Sequence, residues 1–162
     1  MFNRDLLNKT GELIKICNDK SLTICTAESC TGGLIAACIT SVPGSSKVFD
    51  SGFCTYSNNA KIKTLGISNS VILNRGAVSK EVAIEMCEKA IKKSGVDLSV
   101  AVTGIAGPGG GTAQKPVGTV EIASAYKHKA TISENFFFTG NREEIRLLTV
   151  KEAIIMLLKQ LK

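Results

Sequence analysis

The sequence predicts an α/β fold: a single domain, residues 1–162, built on one mixed β-sheet covered by helices on both faces. Three observations predict it. Short β-branched apolar segments alternate with segments of helical period, the pattern of βαβ units. Two strand-like segments then follow in succession, joined through Lys127-His128-Lys129, and close as an antiparallel hairpin. Finally, 162 residues of which 44% are hydrophobic suffice for one core, since a chain of this size buries ~68–70% of its unfolded surface. No internal repeat or linker divides it.

Taken in order, Asn3–Lys20 places Leu6, Leu7, Leu13, Ile14 and Cys17 on one helical face. Leu22–Thr26 is short, apolar and β-branched, as a buried strand is. It stops at Ala27-Glu28-Ser29-Cys30-Thr31-Gly32-Gly33, and helical character resumes over Leu34–Thr40. Pro43-Gly44-Ser45-Ser46 is a turn, Ser51–Tyr56 a second strand, and a short helix runs from about Asn58 to Leu65. Ser79 caps the next helix, whose apolar stripe is Val82, Ala83, Met86, Cys87 and Ala90. Asp97–Thr103 is a strand followed by a glycine-rich loop, and Val117–Tyr126 and Ala130–Phe138 are the hairpin strands. Asn141 and Glu144 have capping-box spacing and open a final helix with Ile145, Leu148, Ile154, Leu158 and Leu161 inward.

Twenty basic residues against 14 acidic give a net charge of +6. That excess admits nucleic acid, a membrane surface or a small anionic ligand. Nucleic acid is the poorer reading, because aromatics are 5%, Trp is absent and the lysines are dispersed. No apolar run approaches the ~20 residues that span a bilayer. The start, Met-Phe-Asn-Arg-Asp-Leu-Leu, lacks an apolar core, so no signal peptide is expected and the location expected is cytoplasmic. Cys17, Cys25, Cys30, Cys38, Cys54 and Cys87 form no C-x-x-C pair and each sits in an apolar or helical run, as a small hydrophobe would. With one histidine, His128, neither a disulfide scaffold nor a zinc site is expected.

Three polar or glycine-rich segments follow strands directly: Ala27–Gly33, Tyr56–Lys61 and Thr103–Pro116. In open α/β sheets ligands bind at the carboxyl ends of strands, so the three could converge. Ser29 sits where a strand passes into a helix, and amides there favour a developing anion. By position alone the better reading is that Ser29 or Thr31 merely caps the helix. Cys30 is a rival nucleophile without a histidine partner, since His128 falls in a surface turn. A serine nucleophile without histidine turns to lysine, whose pKa of ~10.4 falls on burial. Lys61 is the candidate; Lys63 lies about 200° round the helix, so only one of them can face inward. Standing alone, Lys61 reads more readily as a solvated helix lysine. The segment T-G-I-A-G-P-G-G-G-T-A-Q-K-P-V-G-T matches neither nucleotide fingerprint, G-x-x-x-x-G-K-[ST] or G-x-G-x-x-G, and reads as a ligand-approaching loop or a flexible one. Arg142 and Arg146 stand one turn apart, suited to phosphate or to a solvated face.

Together the strings Ala27–Gly33, Thr55-Tyr56-Ser57-Asn58 with Lys61, Gly76–Ser79, Thr103–Pro108 with Lys115–Thr119, and Gly140-x-Arg142 resemble the CinA C-terminal domain family. The likeness runs from about Leu6 to Leu158 in the family's order and spacing. The enzymatic members are nicotinamide mononucleotide deamidases. The resemblance therefore implies a three-layer α/β/α sandwich, commonly a homodimer, that hydrolyses the carboxamide of nicotinamide mononucleotide to nicotinate mononucleotide and ammonia without metal or organic cofactor. Larger members carry an additional N-terminal domain, and this chain resembles the stand-alone form. By motif, Ser29 is the implied nucleophile and Lys61 its base. Tyr56 positions the pair or the pyridine ring, and Thr103 with Gly104 and Gly107 lines the pocket. Thr31, Gly32, Gly33 and Asn58 are implied substrate contacts, and Arg142 holds the phosphate. The alternative is a non-catalytic nucleotide-binding domain, or an accessory domain associated with competence and DNA damage.

Overall fold

The structure, a computed structural model, describes residues 2–162. Strands β1 (Ile24–Glu28), β2 (Phe49–Cys54) and β3 (Leu98–Gly104) run parallel, and β4 (Thr119–Tyr126) and β5 (Lys129–Phe137) continue the sheet antiparallel. The order is β2-β1-β3-β4-β5. From β1 the chain steps one way to β2, then crosses back past β1 to β3. Right-handed crossovers in opposite directions put their helices on opposite faces. Hence α2 (Leu34–Thr40), with α1 (Arg4–Asp19) and α6 (Arg142–Gln160), covers one face. On the other lie α3 (Asn58–Ala60), the π-helical turn Lys61–Leu65, α4 (Asn69–Arg75) and α5 (Lys80–Ser94). The result is the predicted three-layer α/β/α sandwich.

The two faces are packed differently. Ile24, Leu98, Val100, Val102, Val120 and Ile122 point to α1, α2 and α6. Opposite them the strands offer Cys25, Ala27, Ala101, Ala123 and Ala125. Small side chains let α5 approach until Cys87 Sγ lies 2.8 Å from Ser99 Oγ, while Ser99 Oγ donates to Cys87 O at 2.7 Å. At the end of β3, a Cβ on Gly104 would meet Val120 Cγ2 at 2.7 Å and Thr119 O at 2.9 Å. Gly104→Ala therefore has to move β4, and is expected to destabilise by ~1–3 kcal/mol, read as a lower urea midpoint.

Several elements differ from expectation. β1 starts two residues later than Leu22 and runs through Ala27 to Glu28. Its buried acid reads as a loop residue in sequence, but has backbone partners described below. β2 begins at Phe49 rather than Ser51 and ends at Cys54. The helix α4 was not expected: its segment is short and exposed apart from Ile72 and the half-buried Val71, which leaves little periodic signal. The helix expected over Asn58–Leu65 is a single α turn widened into a π turn. Cys54 is exposed, because edge strand β2 turns alternate residues outward; the other five cysteines are buried thiols. Leu148 and Leu158 are only partly buried. The Asn141–Glu144 capping box is formed.

Candidate active site

A cavity of about 260 Å³ opens at the carboxyl ends of β1 and β3. Ser29 and Cys30 reach it from the β1 loop, Tyr56, Asn58 and Lys61 from the loop and helix after β2, and Thr103, Gly104 and Gly107 from β3 and the loop beyond. The three segments singled out in sequence thus converge. Ser29 is fixed by its backbone, whose N–H donates to Val102 O at 3.1 Å, and its side chain is 8% exposed.

Lys61 starts the π turn, the kind of local widening that re-aims a side chain. It is 1% exposed, whereas Lys63 is exposed, as the helical angle between them requires. The Lys61 Nζ donates to Ser29 Oγ at 2.9 Å, to Thr55 O at 2.8 Å and to Tyr56 O at 3.3 Å. It has no carboxylate partner among the described residues. Burial holds its pKa below the ordinary lysine value of 10.5. A neutral amine here keeps two N–H groups on the two carbonyls and turns its lone pair to the Ser29 hydroxyl. That is the geometry of a general base on a nucleophile. The rival Cys30 is disfavoured, since burial raises its thiol to about 11 and leaves it protonated near neutrality. His128 is exposed in the β4–β5 turn, at the end of the sheet away from Ser29.

Sequence reasoning placed a developing anion at the start of α2. The structure puts Glu28 there instead. Its Oε2 accepts from Thr31 Oγ1 (2.7 Å), Gly33 N (3.0 Å) and Ile35 N (3.0 Å), and its Oε1 from Ala36 N (2.9 Å). The helix dipole therefore stabilises a residue of the chain, and neither Ser29 nor Thr31 caps α2. Thr31, Gly32 and Gly33 shape this carboxylate turn and lie outside the lining of this cavity. The signal in the sequence was an acid ending an apolar strand. Glu28→Gln would turn an amide donor onto backbone N–H groups, and is expected to cost ~3 kcal/mol by urea denaturation.

The rest of the site is a set of ties. Thr103 lines the cavity, but its hydroxyl donates to Ala77 O at 2.9 Å and holds the segment between α4 and α5. Lys115 Nζ fastens the glycine-rich loop to the same segment, donating to Arg75 O at 2.9 Å and Val78 O at 2.5 Å. Ala77 and Val78, which belong to the Gly76–Ser79 string but carry no assigned role in sequence, thereby become a wall. Arg142, opening α6, donates to Gly107 O at 2.7 Å and to the Tyr56 hydroxyl at 2.9 Å, across the mouth. Tyr56 itself is 59% exposed. No group of three or more His, Cys, Asp or Glu that could hold a metal occurs among the described residues. None of the described helices is long and apolar enough to cross a membrane.

A family model described as the CinA C-terminal domain matches residues 7–161. The chain belongs to the CinA C-terminal domain family. Relatives of this CinA domain include a "CinA-like protein" of Endomicrobium trichonymphae, 49% identical over 99% of the chain. Another is a "putative competence-damage inducible protein" of Caldicellulosiruptor saccharolyticus, 48% identical over 94%. The chain spans 37% of the length of each. Among solved structures, the competence/damage inducible protein CihA of Agrobacterium tumefaciens superposes with a TM-score of 0.98 at 41% identity, covering 100% of this chain and 99% of that one. The CinA superfamily protein ECK1530/EC0983 of Escherichia coli gives 0.91 at 34% identity, covering 98% and 93%. The CinA fold is thus shared over the whole domain.

Proposed function

We propose that this CinA domain is an amidase that hydrolyses the carboxamide of nicotinamide mononucleotide to nicotinate mononucleotide and ammonia. One observation carries the reading: a buried lysine of lowered pKa within 2.9 Å of a serine hydroxyl that faces a cavity. A passive binding wall has no use for a nucleophile with a base.

Neutral Lys61 takes the Ser29 proton as Oγ attacks the carboxamide carbon. The cationic pyridinium withdraws electrons from that carbon and favours the attack. When the tetrahedral intermediate collapses, the C–N bond breaks and the Lys61 ammonium returns its proton to the departing nitrogen, releasing ammonia. Water then adds to the acyl-serine with Lys61 again accepting a proton. As the ester C–O bond breaks, the Lys61 ammonium returns that proton to Ser29 Oγ, and the released acid ionises to the carboxylate. Thr55 O and Tyr56 O hold the amine on axis throughout. Arg142, whose partners are a hydroxyl and a carbonyl, is the cation available at the mouth for the nucleotide's anionic end.

The test is ammonia release from nicotinamide mononucleotide, run beside nicotinamide and NAD. Release from the mononucleotide is expected. Its absence would overturn the amidase reading and leave an accessory nucleotide-binding domain, the role that fits the competence-damage names of the relatives.

A further inference from the structure

A second cavity, of about 370 Å³, is lined by Leu34, Arg142, Glu143, Arg146 and Leu147. Arg142 lines both cavities, so they adjoin at this residue. Arg146 is not a solvated helix residue. It is half-buried, its Nη2 donates to Thr31 O at 2.7 Å, and its Nε is buried without a partner. Neither arginine pairs with a carboxylate among the described residues. Arg142 is held by neutral groups only.

Two guanidinium charges one turn apart repel each other unless an anion lies between them. The Thr31 carbonyl fixes the plane of Arg146 and leaves the remaining donors of a rigid fork uncommitted, the geometry that suits phosphate oxygens. The one opposing charge in the lining is Glu143, which weakens the attraction for an anion and supplies a test of the opposite sign.

We propose that Arg146, together with Arg142, forms an anion subsite that takes the phosphate monoester of the substrate and selects the nucleotide over its nucleoside. The inference rests on the mononucleotide reading above. The carboxamide goes to Ser29, Arg142 stands between the two cavities, and the phosphate enters the second one.

The experiment compares kcat/KM for nicotinamide mononucleotide and nicotinamide riboside, together with inhibition by inorganic phosphate, in wild type, Arg146→Gln and Glu143→Gln. Arg146→Gln is expected to lower the mononucleotide-to-riboside ratio by about 10-fold or more and to weaken phosphate inhibition. Glu143→Gln is expected to shift both the other way, which keeps the proposal decidable if Arg146→Gln does not fold. A ratio and a phosphate inhibition unchanged in both variants overturn the subsite. If wild type deamidates neither compound, the amidase reading fails separately. Calorimetric titration of inorganic phosphate into the same three proteins then decides the subsite: equal affinity in all three overturns it, and weaker binding to Arg146→Gln supports it.

Discussion

Ser29→Ala is expected to lower kcat for ammonia release by about 10⁴-fold or more, leaving the urea midpoint close to wild type. Ser29 is held by its backbone N–H on Val102 O, so the alanine variant keeps the loop in place and loses the hydroxyl alone. The wall formed by Thr103, Gly104 and Gly107 is untouched, so mononucleotide binding should persist and be measurable by calorimetry. Retention of most of the wild-type turnover would show that a different group attacks the amide. Cys30 is the thiol on the lining, and its protonated state makes it a poor substitute.

Lys61→Met is expected to lower kcat by about 10²–10⁴-fold, the usual contribution of general acid–base catalysis. If the two residues act as a unit, the Ser29→Ala/Lys61→Met double variant is no slower than the slower single variant. An effect on KM alone would make Lys61 a binding residue. Two pH effects follow from its lowered pKa. Activity requires the neutral amine, so the acid limb of kcat/KM should lie below 10.5 and disappear in Lys61→Met. Stability follows by linkage. Between the lowered folded pKa and 10.5, the unfolded chain binds a proton that the folded chain does not. Wild-type stability therefore gains with rising pH across that window, relative to the variant. The buried thiols act in the opposite sense. Cys25 and Cys30, raised to about 11 from 9.0, stabilise fully below 9.0 and lose that contribution as pH rises. Only the difference between wild type and Lys61→Met isolates the lysine, read as urea denaturation at about pH 7 and about pH 10.

Much of the fold is legible in sequence because its elements obey local rules. The period of α1 and α5, the Asn141–Glu144 box and the alternation along β4 are set by neighbours three or four residues away, or two. What failed was local signal overridden by tertiary contact. Glu28 reads as a loop acid because strands avoid carboxylates, yet three amides and a hydroxyl satisfy it inside β1. The helix α4 has too little buried surface to show a period.

The single histidine and the motif strings, those around Ser29 and Lys61 among them, determined by themselves the family resemblance and the choice of lysine over histidine as the candidate base. Only the tertiary structure decided that Lys61 meets Ser29 across a separation of 32 residues and that Arg142 meets Tyr56 across 86. The physical reason is strand order. Placing β1 between β2 and β3 brings three loops to one edge, and the burial this imposes on Lys61 lowers its pKa. No periodicity along the chain encodes such a contact, because it is fixed by which strands pair and on which face each helix returns.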